Sequence, residues 1–413
     1  MGVGNEDAVV IRVTEKAGEP SKITVNCPDR TGLGCDFCWI ILDFGFRITK
    51  GDVSTDGRWC YCVFWVLPSA DAGSVQWGSL KTRLLSTCPS ILIPFYDVPT
   101  SRHAAAPQVY LLKILCVDRR DLLHDVTRVL CELEFTIQRV KVSTTPGGRV
   151  VDLFFITDGR ELLHTKSRKK ETCQRLNAVL GESCEPCEIQ CPGIEYEAFQ
   201  QCFSSLSPAV AEELFRPEPI PDVRKLKQTV ITVDNSLSPA YTLLHIHCVN
   251  QKGLLYDILR TLKDCNIQIA YDRFLSDMEG FREIDLFVQR SDGKKIVDLE
   301  EQRSLCSRLA VEMLHPLRVT IASRGPDAEL LVVNPVELSG KGRPRVFYDV
   351  TLALKMFGIC IFSAEIGRQS AMGRQWEVYR FLLDEAGEVS MSNDRGRRRV
   401  VEAVRSTLMG WPQ

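Results

Sequence analysis

The chain lacks the features that identify several classes of protein. No stretch approaches the roughly 18–20 consecutive apolar residues of a membrane-spanning helix, so we expect no membrane partner. Lys and Arg total 51 against 53 Asp and Glu, and a net charge of -2 does not favour nucleic acid. The first residues have neither an apolar signal core nor the Arg-rich, acid-poor composition of a transit peptide. We therefore expect a cytoplasmic protein, with the nucleus also open.

Complete catalytic and nucleotide-binding motifs are missing as well. Nothing resembles a Ser-His-Asp elbow. Gly32-Leu-Gly34 lacks the third glycine of a dinucleotide loop, because Phe37 occupies that place. The Ser339-Gly-Lys-Gly stretch lacks the spacing and the closing Lys-Ser/Thr pair of a phosphate-binding loop. The sequence thus predicts no enzyme, no catalytic residues and no cofactor.

Cysteine is plentiful, but its pattern does not identify a metal site. The 17 cysteines are scattered, and most lie in apolar runs, which favours a reduced protein that uses cysteine as a small core residue. The densest group is Cys184, Cys187 and Cys191, with Cys202 as the one candidate for a fourth ligand and no histidine nearby. We predict no metal site, and the question stays open for this group. His245 and His247 alternate on a predicted strand and lack a third ligand.

A fourfold internal repeat organises the chain. With Gly32 as the reference position, its equivalents are Asp121, Gly253 and Arg345. An aspartate follows four residues later in every repeat: Asp36, Asp125, Asp257 and Asp349. An isoleucine follows sixteen residues after each reference position: Ile48, Ile137, Ile269 and Ile361. A repeat of this kind determines how the whole sequence is interpreted.

Each repeat predicts the order β-α-β-β-α-β, the split βαβ or ferredoxin-like sandwich of the α+β class. We predict four such units in two pairs, with a Pro-rich linker separating two halves and pairing within each half. Residues 91–95 and 317–321 are the predicted closing strands of repeats 1 and 3, and 209–215 is a predicted short helix of the linker. The predicted boundaries are 1–20 for a polar lead-in, 21–98 for repeat 1, 108–190 for repeat 2, 191–235 for the linker, 240–323 for repeat 3 and 328–411 for repeat 4.

The Asp-Arg-Thr-Gly-Leu loop of repeat 1, the Asn-Gln-Lys-Gly-Leu-Leu loop of repeat 3 and the β-α-β-β-α-β period together resemble the ACT domain. Four such units without a catalytic domain resemble the plant ACT-domain-repeat family. The resemblance implies a regulatory sensor of a free amino acid, with a glutamine-like one among the candidates. It also implies a regulated enzyme or another protein as partner, and a ligand between paired units near the loop from the first strand to the first helix.

Local chemistry is consistent with that position. A helix N-terminus presents unpaired backbone N–H groups and suits a ligand carboxylate. Glycine at the reference position allows ligand and backbone to come close, and the aspartate four residues later stabilises the helix dipole. Because Asp121 and Arg345 replace this glycine, repeats 1 and 3 are predicted to bind ligand, through Asp29, Arg30, Gly32, Leu33, Asn250, Gln251, Gly253 and Leu254.

Three alternatives remain open. A scaffold whose ligand sites have decayed would explain the changes in repeats 2 and 4. An RNA-binding module shares the element order, and Trp59, Tyr61 and Trp65 alternate on one strand, although the equivalent strand of repeat 3 carries carboxylates. An enzyme with an ACT regulatory part would need a segment for catalysis, and the repeats leave none.

Overall fold

The computed structural model describes residues 8–16, 18–69, 75–89, 108–145, 147–181, 184–192, 206–215, 229–276, 280–325, 327–384, 391 and 393–410. Within these residues the elements are, in chain order, β1 (Val9–Arg12), β2 (Ser21–Pro28), α1 (Leu33–Asp43), β3 (Phe46–Thr55), β4 (Trp59–Pro68), α2 (Trp77–Thr87), β5 (Val109–Val117), α3 (Leu122–Glu132), β6 (Phe135–Thr144), β7 (Arg149–Asp158), α4 (Lys166–Leu180), β8 (Glu188–Gln190), α5 (Pro208–Phe215), β9 (Val230–Asp234), β10 (Thr242–Val249), α6 (Leu254–Asp264), β11 (Ile267–Ser276), β12 (Phe281–Arg290), α7 (Leu299–Leu314), β13 (Arg318–Arg324), β14 (Asp327–Pro335), α8 (Val346–Met356), β15 (Ile361–Ala371), β16 (Arg374–Leu383) and α9 (Asp394–Met409).

The same local features recur at the start of each repeat. The reference position is left-handed in all four, with φ of 80° at Gly32, 65° at Asp121, 76° at Gly253 and 63° at Arg345. The first helix of the repeat begins at the next residue, and its apolar face is buried against the sheet. The second strand of each repeat then carries a β-bulge directly after the repeated isoleucine. Glycine suits the left-handed position because it lacks a Cβ.

The chain forms two compact bodies, and each combines repeats that are not neighbours in sequence. The 1–3 body comprises residues 1–99 and 218–316 and therefore contains repeats 1 and 3. The 2–4 body comprises residues 100–217 and 317–413 and contains repeats 2 and 4. The predicted ferredoxin-like α+β class and the two pairs are confirmed, but the predicted pairing within each half of the chain is wrong.

In the 1–3 body, one eight-stranded sheet has the order β1-β2-β4-β3-β11-β12-β10-β9. The two repeats join where β3 and β11 pair antiparallel, with Val53 opposite Asp272 and Gly51 opposite Phe274. A Cβ at Gly51 would lie 3.3 Å from the Leu255 side chain, so glycine allows repeat 3 to approach closely here. This joint depends on side-chain fit between distant repeats, which explains why sequence adjacency did not predict the pairing.

In the 2–4 body, the eight-stranded sheet has the corresponding order β13-β14-β16-β15-β6-β7-β5-β8. The central joint is the antiparallel pair β15 and β6, with Ala364 opposite Val142. Beneath it, helices α3 and α8 meet through polar side chains, and the Thr127 and Thr351 hydroxyls lie 3.1 Å apart. Both hydroxyls are buried.

The edge strands come from unexpected places. Strand β1 lies in the predicted lead-in and β9 in the predicted linker, and they pair with β2 and β10 of repeats 1 and 3. Residues 317–321 do not close repeat 3, because β13 pairs with β14 in the 2–4 body. The predicted strand at 91–95 lies outside the described residues. An exposed strand edge accepts any segment with free backbone groups within reach, so the apolar pattern alone does not determine which segment pairs there.

The predicted linker helix is present as α5. It lies on the outer face of the repeat 4 sheet, where Leu214 and Phe215 join a cluster with Trp376 and Val378. The guanidinium of Arg318 donates to the Leu214 carbonyl at 2.9 Å and lies over the Trp376 ring. Among the described residues, no helix is long and apolar enough to cross a membrane.

Candidate ligand-binding sites

A cavity of about 270 Å³ lies in the 1–3 body beside the first loop of repeat 1. The predicted residues Asp29, Arg30, Gly32 and Leu33 all line it. Repeat 3 supplies the opposite wall from α6 and from the start of β11, including the bulge, with Leu259, Lys263 and residues 267–270. The structure thus brings four of the eight predicted residues together in one cavity between paired repeats, which we name cavity 1.

The two cations that line cavity 1, Arg30 and Lys263, both contact one buried aspartate that is not itself among the lining residues. Asp36, in the first turn of α1, is 7% exposed and accepts from the guanidinium of Arg30. The ammonium of Lys263, from repeat 3, lies 3.4 Å from the other carboxylate oxygen of Asp36. On the other side of the loop, the Thr55 hydroxyl donates to Asp29. Two cations and two carboxylates therefore surround the start of α1.

The reference glycine has a different environment from the predicted one. A Cβ at Gly32 would lie 2.7 Å from Cε of Lys263, so a side chain of repeat 3 occupies the space above this glycine. Its left-handed φ gives a second reason for glycine. The role of Gly32 in direct ligand contact stays a prediction.

A second cavity of about 280 Å³, which we name cavity 2, lies at the equivalent loop of repeat 2. It repeats the charge arrangement of cavity 1, because Asp125 binds Arg119 at 2.8 Å and Lys355 of repeat 4 at 3.3 Å. Burial opposes ionisation of Asp125, but these two cations outweigh it and lower its pKa. Arg120 lies against the repeat 4 backbone, where a Cβ on Gly358 would collide with its guanidinium.

The loop of repeat 3 has neighbours of its own instead of a cavity. Asn250, Gln251, Gly253 and Leu254 line neither cavity 1 nor cavity 2. The Asn250 side-chain oxygen accepts from Nε of Arg282 at 2.8 Å, and the same guanidinium donates to the Thr49 carbonyl of repeat 1. The Gln251 amide donates to the Met313 carbonyl.

One position of the third strand differs between the open loops, which line a cavity, and the filled loops, whose space is occupied by a side chain. In each repeat this residue pairs with the residue that lies 23 positions after the reference position. It is Cys60, Val150, Arg282 and Glu377 in repeats 1 to 4. Cys60 and Val150 are small and line cavities 1 and 2. Arg282 contacts the loop of repeat 3, and Glu377 accepts from Asn334 at 3.1 Å and from the Tyr379 hydroxyl at 2.8 Å.

Sequence reasoning missed the lysines and cavity 2. Lys263 and Lys355 stand ten residues after the reference in repeats 3 and 4, whereas Leu42 and Cys131 occupy this position in repeats 1 and 2. A position-by-position alignment of the repeats would have shown this alternation. It could not have shown which repeats meet, and therefore which aspartate each lysine contacts.

The other candidate groups do not assemble into a metal site among the residues described. No group of three or more His, Cys, Asp and Glu side chains could hold a metal ion within those ranges. Cys187 is buried, its thiol donates to Asn177 at 3.3 Å, and Cys191 is exposed. His245 lies 2.7 Å from Asp285 of the adjacent strand.

Comparison with known proteins adds an independent line of evidence. A family model described as "ACR9-like, ACT-like domain" matches residues 101–188 and 230–327, one described as "ACT domain-containing protein ACR9, C-terminal" matches 328–410, and one described as "ACT domain-containing protein ACR10, N-terminal" matches 11–89. The chain is 59% identical to ACT domain-containing protein ACR9 of Arabidopsis thaliana over 413 residues. It is 48% identical to ACR10 of the same plant over 421 residues, and both alignments cover 100% of each chain. A more distant relative, ACR8, is 22% identical over 391 residues, with 94% of this chain and 81% of ACR8 covered.

The fold and the matches define a protein built of ACT domains, which are ligand-binding regulatory modules. The chain belongs to the plant ACT-domain-repeat family that includes ACR9 and ACR10. Members of this family are ACT-domain regulatory proteins without a known catalytic domain.

Proposed function

We propose that this protein is a non-enzymatic sensor of a free amino acid, with its ligand in cavity 1. The observation that carries the proposal is the set of four charged side chains that line this cavity. Arg30 and Lys263 supply two positive charges, and Asp29 and Asp56 supply two negative ones. An amino acid carries one charge of each sign, so its binding leaves the cavity electrically balanced.

The two ends of the ligand have different partners in this arrangement. Its carboxylate lies at the N-terminus of α1, where the helix dipole and the cations Arg30 and Lys263 favour an anion. Its ammonium lies towards Asp29, across the loop. Because Lys263 belongs to repeat 3 and Arg30 to repeat 1, the ligand contacts both repeats. A ligand shifts the arrangement of two repeats only through different affinities for the alternative arrangements.

The sensor's output is a change in contact with a regulated enzyme or another protein. We place this activity in the cytoplasm, with the nucleus as a second location. A scaffold with decayed ligand sites is the second candidate function. It is favoured by repeats 3 and 4, where Arg282 and Glu377 occupy the position that is small in repeats 1 and 2.

A thermal-melt screen of the full chain against the common amino acids tests the proposal. A ligand at a hundred times its dissociation constant stabilises the folded state by about 2.7 kcal/mol. For a body of this size that corresponds to a rise in melting temperature of about 5–10 °C. The expected result is that one or a few amino acids raise the melting temperature, and that Lys263→Met removes this rise.

A matched control is Lys355→Met, which removes the equivalent lysine in the 2–4 body and leaves cavity 1 intact. A screen in which no amino acid raises the melting temperature would overturn the sensor and favour the scaffold. A rise that survives Lys263→Met unchanged would exclude cavity 1 as the site.

A further inference from the structure

The outer face of the repeat 1 sheet, which is the face turned away from helices α1 and α2, carries a row of aromatic side chains. Along β4 the two faces alternate, and Trp59 and Tyr61 are 41% and 46% exposed. Trp65 follows four residues after Tyr61 on the same face and is half-buried. The indole N–H of Trp59 donates to the side-chain oxygen of Asn26, which fixes the orientation of its ring. Neighbouring exposed aromatic side chains mark an interaction surface, and we name these three residues the aromatic row.

The same place on the repeat 4 sheet is covered by a helix. Trp376 is the equivalent of Trp59, because each stands directly before the third-strand residue compared above and each pairs with a proline of the first strand. Trp376 is only 5% exposed, since Leu214 and Phe215 of α5 pack against it. Glu212 of the same helix is exposed, so α5 is amphipathic. The chain therefore contains one example of this face bound by a short amphipathic helix, whereas the equivalent tryptophan of repeat 1 is exposed.

Four cations surround one end of the aromatic row. The ammonium groups of Lys22 and Lys50 lie 5.3 and 4.3 Å from the ring centre of Trp65, on the strands to either side of it. Arg12 pairs with Lys22 on the edge strand, and Arg47 precedes Lys50 on β3. Among the residues that the structure describes, none of these four cations forms an ion pair with a carboxylate. This end of the row is therefore complementary to an anionic segment of a partner.

We propose that the aromatic row is a docking surface for a partner protein, which binds through a short amphipathic helix with acidic residues at one end. The apolar side of that helix packs on Trp59 and Tyr61, as α5 packs on Trp376. Its carboxylates meet Lys22 and Lys50. The row spans six residues of a strand, or about 20 Å, which corresponds to about 13 residues of α-helix.

This docking surface goes beyond the proposed sensing of an amino acid and does not depend on it. The aromatic row lies on the outer face of β4, whereas Cys60 lines cavity 1 from the opposite face of the same strand. An amino acid in cavity 1 and a helix on the aromatic row therefore contact different side chains. The two proposals can fail separately.

The charges farther across the outer face favour a helix over a nucleic acid. Asp52 lies opposite Val63 on β3, in the row of residues next to Lys50. Repeat 3 adds Glu283 and Asp285 on the outer face of β12. These carboxylates repel a phosphate backbone that crosses the strands of the sheet. A helix that lies along β4, with its acidic end at the four cations, avoids most of this repulsion.

Selection from a library of random peptides of about 14 residues, displayed on phage, tests which chemistry the surface binds. The full chain is the immobilised target, and phage that bind the full chain with Trp59→Ser are removed first. The expected result is enrichment of acidic peptides whose apolar residues recur at the spacing i, i+3, i+4 and i+7, which places them on one face of a helix. Absence of enrichment, or enrichment of basic peptides without this spacing, would overturn the proposal.

Fluorescence anisotropy then measures the dissociation constant of the most enriched peptide, labelled with fluorescein. We expect Trp59→Ser to weaken binding by about tenfold or more, because an aromatic residue at the centre of an interface contributes much of its affinity. The pair Lys22→Glu and Lys50→Glu should weaken it by a similar factor. Raising the salt concentration from about 0.05 M to about 0.5 M should weaken binding to the native chain more than to this double variant.

Two variants of the 2–4 body are matched controls. Phe362→Ser removes an aromatic side chain that is 47% exposed, and Lys166→Glu with Lys170→Glu reverses two exposed lysines of α4. Both should change the dissociation constant by less than about twofold, a difference too small to count as loss of a contact. A peptide whose binding these controls weaken as much as Trp59→Ser does would not dock on the aromatic row.

Two further measurements separate this proposal from its alternatives. A labelled uridine RNA of about 12 nucleotides that binds more tightly than the peptide, and is lost in Trp59→Ser, would replace the helix with a nucleic acid as the occupant. The melting temperature of Trp59→Ser should stay close to that of the native chain, because the side chain is exposed. Its rise with an amino acid should also be unchanged. A flat amino-acid screen with intact peptide binding would refute the sensor alone, and the reverse result would refute the docking surface alone.

Discussion

The buried carboxyl group of Asp152 makes the stability of the 2–4 body depend on pH in a way that Asp152→Asn should remove. Asp152 is 0% exposed, and neither of its side-chain oxygens has a hydrogen-bond partner within the described residues. Burial raises its pKa to about 8 in the folded protein, against 3.8 in the unfolded chain. The unfolded state therefore loses this proton far more readily than the folded state. The resulting penalty is absent below about pH 4, grows as pH rises and is complete above about pH 8.

The size of the effect follows from the pH interval between the two measurements. Between pH 5 and pH 7 the unfolded carboxyl is ionised and the folded one protonated, so each pH unit costs about 1.4 kcal/mol. The free energy of unfolding of the native chain should thus fall by about 2.7 kcal/mol relative to Asp152→Asn across this interval. That difference corresponds to a relative change in melting temperature of about 5–10 °C.

Urea unfolding of the native chain and of Asp152→Asn at both pH values, without amino acids present, measures the effect. Asp327→Asn is the control, because Asp327 is an exposed aspartate of the same body. The quantity compared is the difference in free energy of unfolding between the native chain and Asp152→Asn, measured at pH 5 and again at pH 7. A cost of the buried amide that does not vary with pH is the same at both pH values and therefore cancels. If the difference is the same at pH 5 and pH 7, Asp152 is not a buried, unpartnered carboxyl group and the reasoning fails.

Three further perturbations test the packing and the loops. Lys263→Met leaves buried Asp36 with Arg30 alone, and it should lower the free energy of unfolding of the 1–3 body by about 1–3 kcal/mol in urea denaturation. Asp121→Gly should raise the melting temperature of the 2–4 body, because a non-glycine residue at φ 65° costs about 1 kcal/mol that glycine does not. Phe215→Ala should cost about 3 kcal/mol at the α5 cluster, and hydrogen exchange should then increase in α5 before the rest of the 2–4 body. An unchanged exchange rate in α5 would mean that Phe215 does not hold this helix on the sheet.

The four repeats differ systematically at their first loops. Repeats 1 and 2 have a small residue beside the loop and receive a lysine from the partner repeat. Repeats 3 and 4 supply that lysine, and Arg282 or Glu377 occupies the corresponding position in their own sheets. Each body therefore has one open loop and one filled loop. This division also explains why a glycine at the reference position did not predict which loops are open. Glycine favours the left-handed φ of that position, and this φ is found in all four repeats.

Local sequence patterns were sufficient to predict the four repeats, the ferredoxin-like class and the first loop of each repeat. These depend on local features: a left-handed residue before an amphipathic helix, an isoleucine before a bulge, and apolar alternation in the strands. The loop residues Asp29, Arg30, Gly32 and Leu33 line cavity 1 together, because loop and helix start are contiguous in the chain. Their contact with a ligand stays a prediction.

Contacts between distant segments determine which repeats pair, where the edge strands come from and which loops line a cavity. Pairing of repeat 1 with repeat 3 depends on contacts such as Asp36 with Lys263, 227 residues apart. The repeats share one pattern, so that pattern cannot distinguish one partner from another. The difference lies in a few side chains at each joint. The contact of Lys263 with Asp36 and the position of Asp152 in the wall of cavity 2 both depend on strands and helices that are distant in the chain lying side by side.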